Sequence, residues 1–269
     1  VSEGQSVFPV GLKAYYGRRR FLLLTQTYLM DRVANPYRRL SATLLIACNK
    51  PLRLEAGDEA PIETRAVLIA PNVLRRRTIA LNSDLVIFDI PVGSPEYTAL
   101  ESTLESRKIL PLDFERFAPL ESLIKRAAQD TLNSEEVDQL FKSAVLAACG
   151  REPVARELDP RIEKAMALIE DLPFNEVTLE LLSERLHVSP SRLRHLFKEQ
   201  TGCNLSHYAR WVAVWRATHL WKQGKPLTDI AHEVGFYDLA HLGRAFNEVF
   251  GWNPSAVIDP AVITLIRCS

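Results

Sequence analysis

The sequence predicts an α+β chain of two domains: an N-terminal β-barrel with a helical pair behind it, then an all-helical C-terminal third. Three observations carry that prediction. Short apolar runs between residues 20 and 95 are separated by turn signals, apolar positions recur at helical spacing from Phe117 onward, and one helical segment occurs twice at an offset of 48–49 residues. A length of 269 residues agrees, at roughly 150 per domain.

Composition sets the outer limits. A hydrophobic share of 47% with 25% charged residues describes a folded globular chain rather than a disordered one. The 33 basic and 33 acidic residues cancel, so any affinity for nucleic acid must be local rather than a property of net charge. Cys48, Cys149, Cys203 and Cys268 stand apart without a C-x-x-C pair. That spacing is neither a zinc ribbon nor a disulfide framework, and it fits a reduced cytoplasm. Arg18-Arg19-Arg20 before Phe21-Leu22-Leu23-Leu24 imitates an export signal, but Thr25, Gln26 and Thr27 break the run and no cleavage site follows. No apolar run approaches the ~20 residues of a membrane span. The chain opens at Val1, so its natural N-terminus is expected upstream.

The elements follow in order. Arg20–Leu29, Ser41–Cys48, Ala66–Ala70 and Asp84–Ile90 read as strands, bounded by Asn35-Pro36, Asn49-Lys50-Pro51, Gly57-Asp58, Pro71-Asn72 and Asn82-Ser83. Strands so spaced suggest a sandwich or barrel, closed by Pro91 through Pro95. Two helices come next. One carries Phe117, Leu120, Ile124 and Ala127; the other, starting at Ser134-Glu135-Glu136, carries Val137, Leu140, Phe141, Ala144, Val145 and Ala148 and ends at Gly150. The expected divisions are 1–112 for the barrel, 113–150 for the helical pair, 151–160 for a charged linker, 161–258 for the helical domain and 259–269 for a tail.

All six histidines (His187, His195, His207, His219, His232 and His241) fall in the C-terminal third. A barrel enzyme built on histidine-ligated metal is therefore excluded from the N-terminal half.

The repeat carries the functional argument. Leu193-Arg194-His195-Leu196-Phe197 and Gly202-Cys203-Asn204 match Leu242-Gly243-Arg244-Ala245-Phe246 and Gly251-Trp252-Asn253 at an offset of 49. Upstream, Leu182-Ser183-x-x-Leu186-x-Val188 matches Ile230-Ala231-x-x-Val234-x-Phe236 at 48, so one extra residue sits in the second turn. This is a duplicated helix–turn–helix unit.

In the first unit Ser189 is a good N-cap and Pro190 a good first helical residue. Leu193, Leu196 and Phe197 point inward, which leaves Ser191, Arg192, Arg194, His195 and Lys198 outward. An Arg on such a helix bonds guanine bidentately in a major groove, and Lys198 suits a phosphate. In the second unit Asp238 is the expected N-cap, with Tyr237, Ala240, His241, Arg244 and Asn247 toward solvent. Between the units Leu205–Trp221 reads as one helix of ~25 Å, which suits recognition helices one DNA turn, ~34 Å, apart. Residues 159–258 hold eleven basic against twelve acidic residues, so base contacts and DNA shape matter more than bulk charge.

The pattern Leu182-Ser183-x-x-Leu186-x-Val188-Ser189…Phe197-x-x-x-x-Gly202, then Ile230-Ala231-x-x-Val234-Gly235-Phe236…Phe246-x-x-x-Phe250-Gly251-x-x-Pro254, resembles the AraC/XylS family of bacterial transcription regulators. The resemblance implies a seven-helix domain that binds double-stranded DNA, acts most often as an activator and contacts RNA polymerase. It places base-reading positions on Ser191, Arg194 and His195, and on Leu239, Ala240, His241, Gly243 and Arg244. This chain departs from the family at Ser183, at the short side chains of Ala240 and Gly243, and at Val257-Ile258. The N-terminal strands, with Arg65–Asn72 at the proline-turned strand, look like the family's cupin-type barrel. The helices at 117–130 and 135–148 look like its dimerisation helices, implying a homodimer and a small-molecule effector in the barrel.

Plainer readings stand beside these. The stripe from Val137 to Ala148 packs equally well on its own barrel. Arg75-Arg76-Arg77 and Arg18-Arg19-Arg20 suit an anionic effector or, more simply, a solvated face. Trp211, Trp215 and Trp221 read as core or helix-seam residues, and Cys203 as a structural thiol before a redox sensor. No cofactor or metal is expected, and no catalytic residue. An alternative regulator would use its N-terminal domain for self-association or for a controlling protein. A more distant alternative, a DNA-repair enzyme sharing this domain, needs clustered zinc-ligating cysteines, and Cys48 and Cys149 stand alone.

Overall fold

The computed structural model describes residues 11–17, 20–26, 36–81, 83–129, 131–151, 157–221, 225–251 and 263–268. The arginines at 18 and 19, residues 27–29 of the expected strand 20–29 and Val257-Ile258 lie outside the described residues. The chain divides into two compact units, residues 1–155 with 255–269, and residues 156–254.

The first unit contains two sheets. β1 (Leu12–Gly17), β2 (Arg20–Thr25), β4 (Ala42–Ala47), β7 (Ala66–Ile69), β9 (Leu85–Ile90), β10 (Ile109–Leu112) and β11 (Ile263–Arg267) form one, in the order β10-β7-β4-β9-β2-β1-β11. β3 (Tyr37–Arg38), β5 (Leu52–Ala56), β6 (Ile62–Thr64) and β8 (Leu74–Ile79) form the other, in the order β3-β8-β5-β6. The expected barrel is thus not closed among the described residues. Each sheet keeps two edges, and β10 carries Pro111, which offers no N–H to a further strand.

β4 and β9 are buried on both faces, which is why they read as unbroken apolar runs instead of alternating ones. One face presents Leu22, Leu24, Ala42, Leu44, Ile46, Val86, Phe88 and Ile90 to three helices, α1 (Pro95–Leu104), α2 (Glu121–Gln129) and α3 (Ser134–Cys149). Cross-strand pairing puts Thr43, Asp89 and Ile69 together on the opposite face, with Leu45, Ile87 and Val67 beside them. A hydrogen bond from Arg75 Nη2 to Thr43 Oγ1, 2.7 Å, ties that face to the second sheet.

The apolar stripe of α3 resolves between its two readings. Val137, Leu140, Phe141, Ala144, Val145 and Ala148 all pack into this unit's own core, and Phe141 meets Phe88 edge-on at 5.2 Å. The face expected to serve a dimer is consumed within the chain. Tyr15 fixes the helical layer further, donating to Ala127 O (2.9 Å) and accepting from Leu132 N–H (3.2 Å). Asn133, rather than Ser134, caps α3, in a reciprocal box with Glu136.

The C-terminal tail is also corrected. It returns as β11, parallel to β1 from Leu12↔Ile263 to Tyr16↔Arg267, and Cys268 N–H donates to Tyr16 O at 2.7 Å. Leu265 is buried, and Ile266 packs on the core. Deleting residues 263–269 bares the β1 edge and these apolar contacts. The expected cost is about 2–4 kcal/mol in this unit, with concentration-dependent self-association through the open strand. Calorimetry and light scattering measure both; a truncated chain with parental stability and size refutes the strand's contribution.

The second unit is helical: α4 (Pro160–Asp171), a 3-10 turn (Phe174–Glu176), α5 (Leu179–Leu186), α6 (Pro190–Thr201), α7 (Leu205–Trp221), α8 (Leu227–Glu233) and α9 (Leu239–Phe250). α7 occupies the span expected from its apolar positions. It is buried nearly all round, at Leu205, Tyr208, Ala209, Trp211, Val212, Ala213, Val214 and Ala217, because other helices of the unit pack against several of its sides.

Candidate nucleic-acid interface

Two helix pairs, α5–α6 and α8–α9, are joined by turns that match bond for bond. His187 N–H donates to Glu184 O (3.2 Å) and Val188 N–H to Ser183 O (3.1 Å). Forty-eight residues on, Gly235 N–H donates to His232 O (3.0 Å) and Phe236 N–H to Ala231 O (2.8 Å). Both corner residues are left-handed, His187 at φ +53° and Gly235 at φ +89°. The following helices are capped alike at an offset of 49. Ser189 Oγ accepts from Arg192 N–H (3.3 Å), and Asp238 Oδ1 accepts from His241 N–H (2.6 Å). They also end alike, with Gly202 N–H on Lys198 O and Gly251 N–H on Asn247 O. The residue that changes the offset is Tyr237, which stands 84% exposed at the start of α9.

The duplicated corners differ for a local reason. A Cβ on Gly235 would fall 2.4 Å from Phe174 N and 2.8 Å from Asn175 N. The turn at Phe174–Glu176 presses on the second corner, where Phe174 N–H donates to Val234 O (2.9 Å) and its ring meets Phe236 at 5.1 Å. Nothing in the Pro173-Phe174-Asn175 sequence signals this role, since it is made only by tertiary contact.

The expected contact residues lie as follows. On α6 and its cap, Ser189, Ser191, Arg192, Arg194, His195 and Lys198 are all exposed, while Leu193, Leu196 and Phe197 are buried beneath them. His195 Nε2 sits 3.8 Å from Glu199. Near α9, Tyr237, Ala240 and Arg244 are exposed, whereas Leu239, His241, Gly243 and Asn247 are half-buried. The His241 ring lies edge-on to Phe236 (5.0 Å) and Phe174 (6.3 Å), so one side of it belongs to the core. The outward surface of α9 is therefore narrower than that of α6, with Arg244 its one exposed cation.

A ladder of rings connects the two outward helices. Phe197 of α6 meets Tyr208 (5.6 Å), then Trp211 (5.9 Å) and Trp215 (5.9 Å) along α7. Trp215 meets Phe250 of α9 at 4.9 Å, Phe250 meets Phe246 at 4.7 Å, and Phe246 meets Trp221 at 5.1 Å. The tryptophans are seam residues, as their spacing suggests. Cys203 is equally structural: burial pushes its thiol up to about 11, against the opposing hydrogen bond of Thr201, so it stays protonated near neutral pH.

Residues 182–259 match the model of a helix-turn-helix domain family. Among characterised proteins, the HTH-type transcriptional activator RhaS of Citrobacter koseri is 31% identical over 97 residues, covering 36% of this chain and 35% of RhaS. RhaS of Escherichia coli is 30% identical over 95 residues, covering 35% of this chain and 34% of its own. The chain thus covers about a third of the length of these relatives. Among solved structures, ToxT from Vibrio cholerae superposes with a TM-score of 0.54 at 14% identity, covering 83% of this chain and 91% of ToxT. An apo variant of ToxT reaches 0.58 at 12% identity, covering 95% and 98%. At such identities the likeness is one of fold: a β-rich N-terminal part followed by a helical one.

Proposed function

We propose that the helical part of this chain is a DNA-binding domain of the AraC/XylS type, as its match to a helix-turn-helix family and its likeness to the activator RhaS support, and that both helix pairs are helix-turn-helix readers that place α6 and α9 in successive major grooves. The observation that carries the proposal is the matched geometry of the two pairs, with turn, cap and helix end repeated and the intervening faces exposed. Ser191, Arg194 and His195 read bases in the first groove. Arg244 carries most of the second, beside His241, Ala240, Gly243 and Leu239. Ser189, Arg192, Lys198, Tyr237 and Asn247 hold the backbone. The protein activates transcription, which the naming of its relatives as activators supports; in this reading it acts through RNA polymerase and its N-terminal unit senses a small molecule.

Selection of bound duplexes from a random library, with the full-length chain at near-physiological salt, tests this. Two boxes about one helical turn apart are the expected result; recovery of no sequence preference overturns it. Against the selected site, Arg194→Ala and Arg244→Ala are each expected to weaken binding by about 1–3 kcal/mol and to relax preference at one box only. Unchanged affinity in both variants removes those side chains from the readout.

A further inference from the structure

The two proposed readers differ at one position for which the described residues offer no internal reason. Gly243 is the fifth residue of α9 and, among the described helices, the one glycine that lies away from a helix end. Glycine weakens a helix interior relative to alanine, because it has more backbone freedom to lose. Nearby glycines have local reasons. Gly202 and Gly251 end their helices at φ +73° and +76°, and Gly235 has the backbone of Phe174 against it. Gly243 is not among the left-handed residues, and a Cβ built there meets no atom of the described residues beyond its own turn within 4 Å. Alanine would fit and would hold α9 better. The missing side chain therefore answers to something outside the chain.

The repeat identifies it. At the offset of 49, Gly243 stands where α6 carries Arg194, on helices whose turns and caps match. α6 presents Arg192, Arg194 and Lys198 as exposed cations, whereas α9 presents Arg244. An arginine reaches a base edge across several ångströms; a bare Cα touches one only if the helix itself lies against it. The major groove displays one apolar group, the C5 methyl of thymine. Ala240 and Asn247 stand one turn to either side of Gly243 and Arg244 stands next to it, so the gap has the size of one absent side chain and admits a methyl group.

We propose that Gly243 lets α9 lie closer to the bases than α6 does, with a thymine methyl of the second box against its Cα, beside a base pair contacted by Arg244. The inference rests on the DNA reading proposed above and names the base chemistry that the second helix recognises.

Titration of the full-length chain against the selected two-box duplex tests it, with each thymine of the second box replaced in turn by uracil. Uracil keeps every hydrogen-bonding group and lacks only the methyl. At one position affinity is expected to fall about three- to fivefold, the effect of losing one buried methyl. Gly243→Ala is expected to raise the thermal transition by a few degrees while weakening two-box binding by about fivefold or more. A merely structural glycine does not move stability and affinity in opposite directions. Gly243→Leu is expected to weaken two-box binding further and to leave binding of the first box alone unchanged. Indifference to uracil at every position of the second box overturns the inference, as does a second box without thymine. So does parental binding of the two-box duplex by both variants, which would mean that the gap serves something other than DNA. Should Gly243→Leu fail to fold, Gly243→Ala and the uracil series decide. Selection that returns no box removes the DNA reading itself and this inference with it. Two boxes that are indifferent to uracil and to Gly243 leave the reading standing and remove only the close approach.

Discussion

Gly235→Ala is expected to destabilise the helical unit by roughly 2–5 kcal/mol and to abolish binding to the selected site. Two costs add. The corner holds φ at +89°, in the region that an L side chain enters at a penalty of about 1–3 kcal/mol. The new Cβ also falls 2.4 Å from the backbone nitrogen of Phe174, and a backbone atom cannot rotate aside as a side-chain tip does. Relief requires the Phe174–Glu176 turn to move, which breaks the Phe174–Val234 hydrogen bond and the ring packing beneath His241. The matching substitution in the first unit, His187→Gly, should change stability by no more than about 1 kcal/mol. It relieves a milder positive φ but frees the unfolded chain. Calorimetry of the two variants gives the contrast. Equal stability in both would mean that the Phe174 contact does not constrain the second corner.

That contrast also shows where sequence reasoning ends. The bounds of α6 and α9 were legible because each has a local signal at either end, Ser189-Pro190 and Gly202 for α6, Asp238 and Gly251 for α9. The reason one corner takes His and the other Gly was not legible, since it depends on a turn some sixty residues upstream of Gly235. In the N-terminal unit the visible strands were the ones buried on both faces, such as β4 and β9. β8 escaped because its burial does not alternate: Arg75 and Thr78 are buried, with Arg76 and Arg77 exposed between them. α1 escaped behind the turn-like Pro91–Pro95, and β11 lies beyond the repeat where no pattern asked for a strand. Periodicity did show that α3 buries a stripe. It is silent on what covers a stripe, and the covering surface turned out to be the chain's own sheet.

The second large effect is expected from Trp215→Ala, and it separates the stability of the two proposed readers from their spacing. Trp215 is the rung that joins α7 to α9, with Phe250 at 4.9 Å edge-on and Trp211 at 5.9 Å on the side of α6. It is half-buried, so removing the indole should cost about 2–4 kcal/mol, somewhat below a fully buried tryptophan. The turns and caps of both pairs do not involve this residue, so each reader should keep its affinity for a single box to within a few-fold. Binding of two boxes is different, because the second contact is intramolecular and draws its advantage from the fixed separation of α6 and α9. That advantage should fall by about tenfold or more in Trp215→Ala and survive largely in Trp215→Phe, which keeps a ring on the rung. Titrations against one-box and two-box duplexes at the same salt measure it. A proportional loss on both duplexes would make Trp215 a stabilising core residue alone, and would move the origin of the spacing elsewhere along α7.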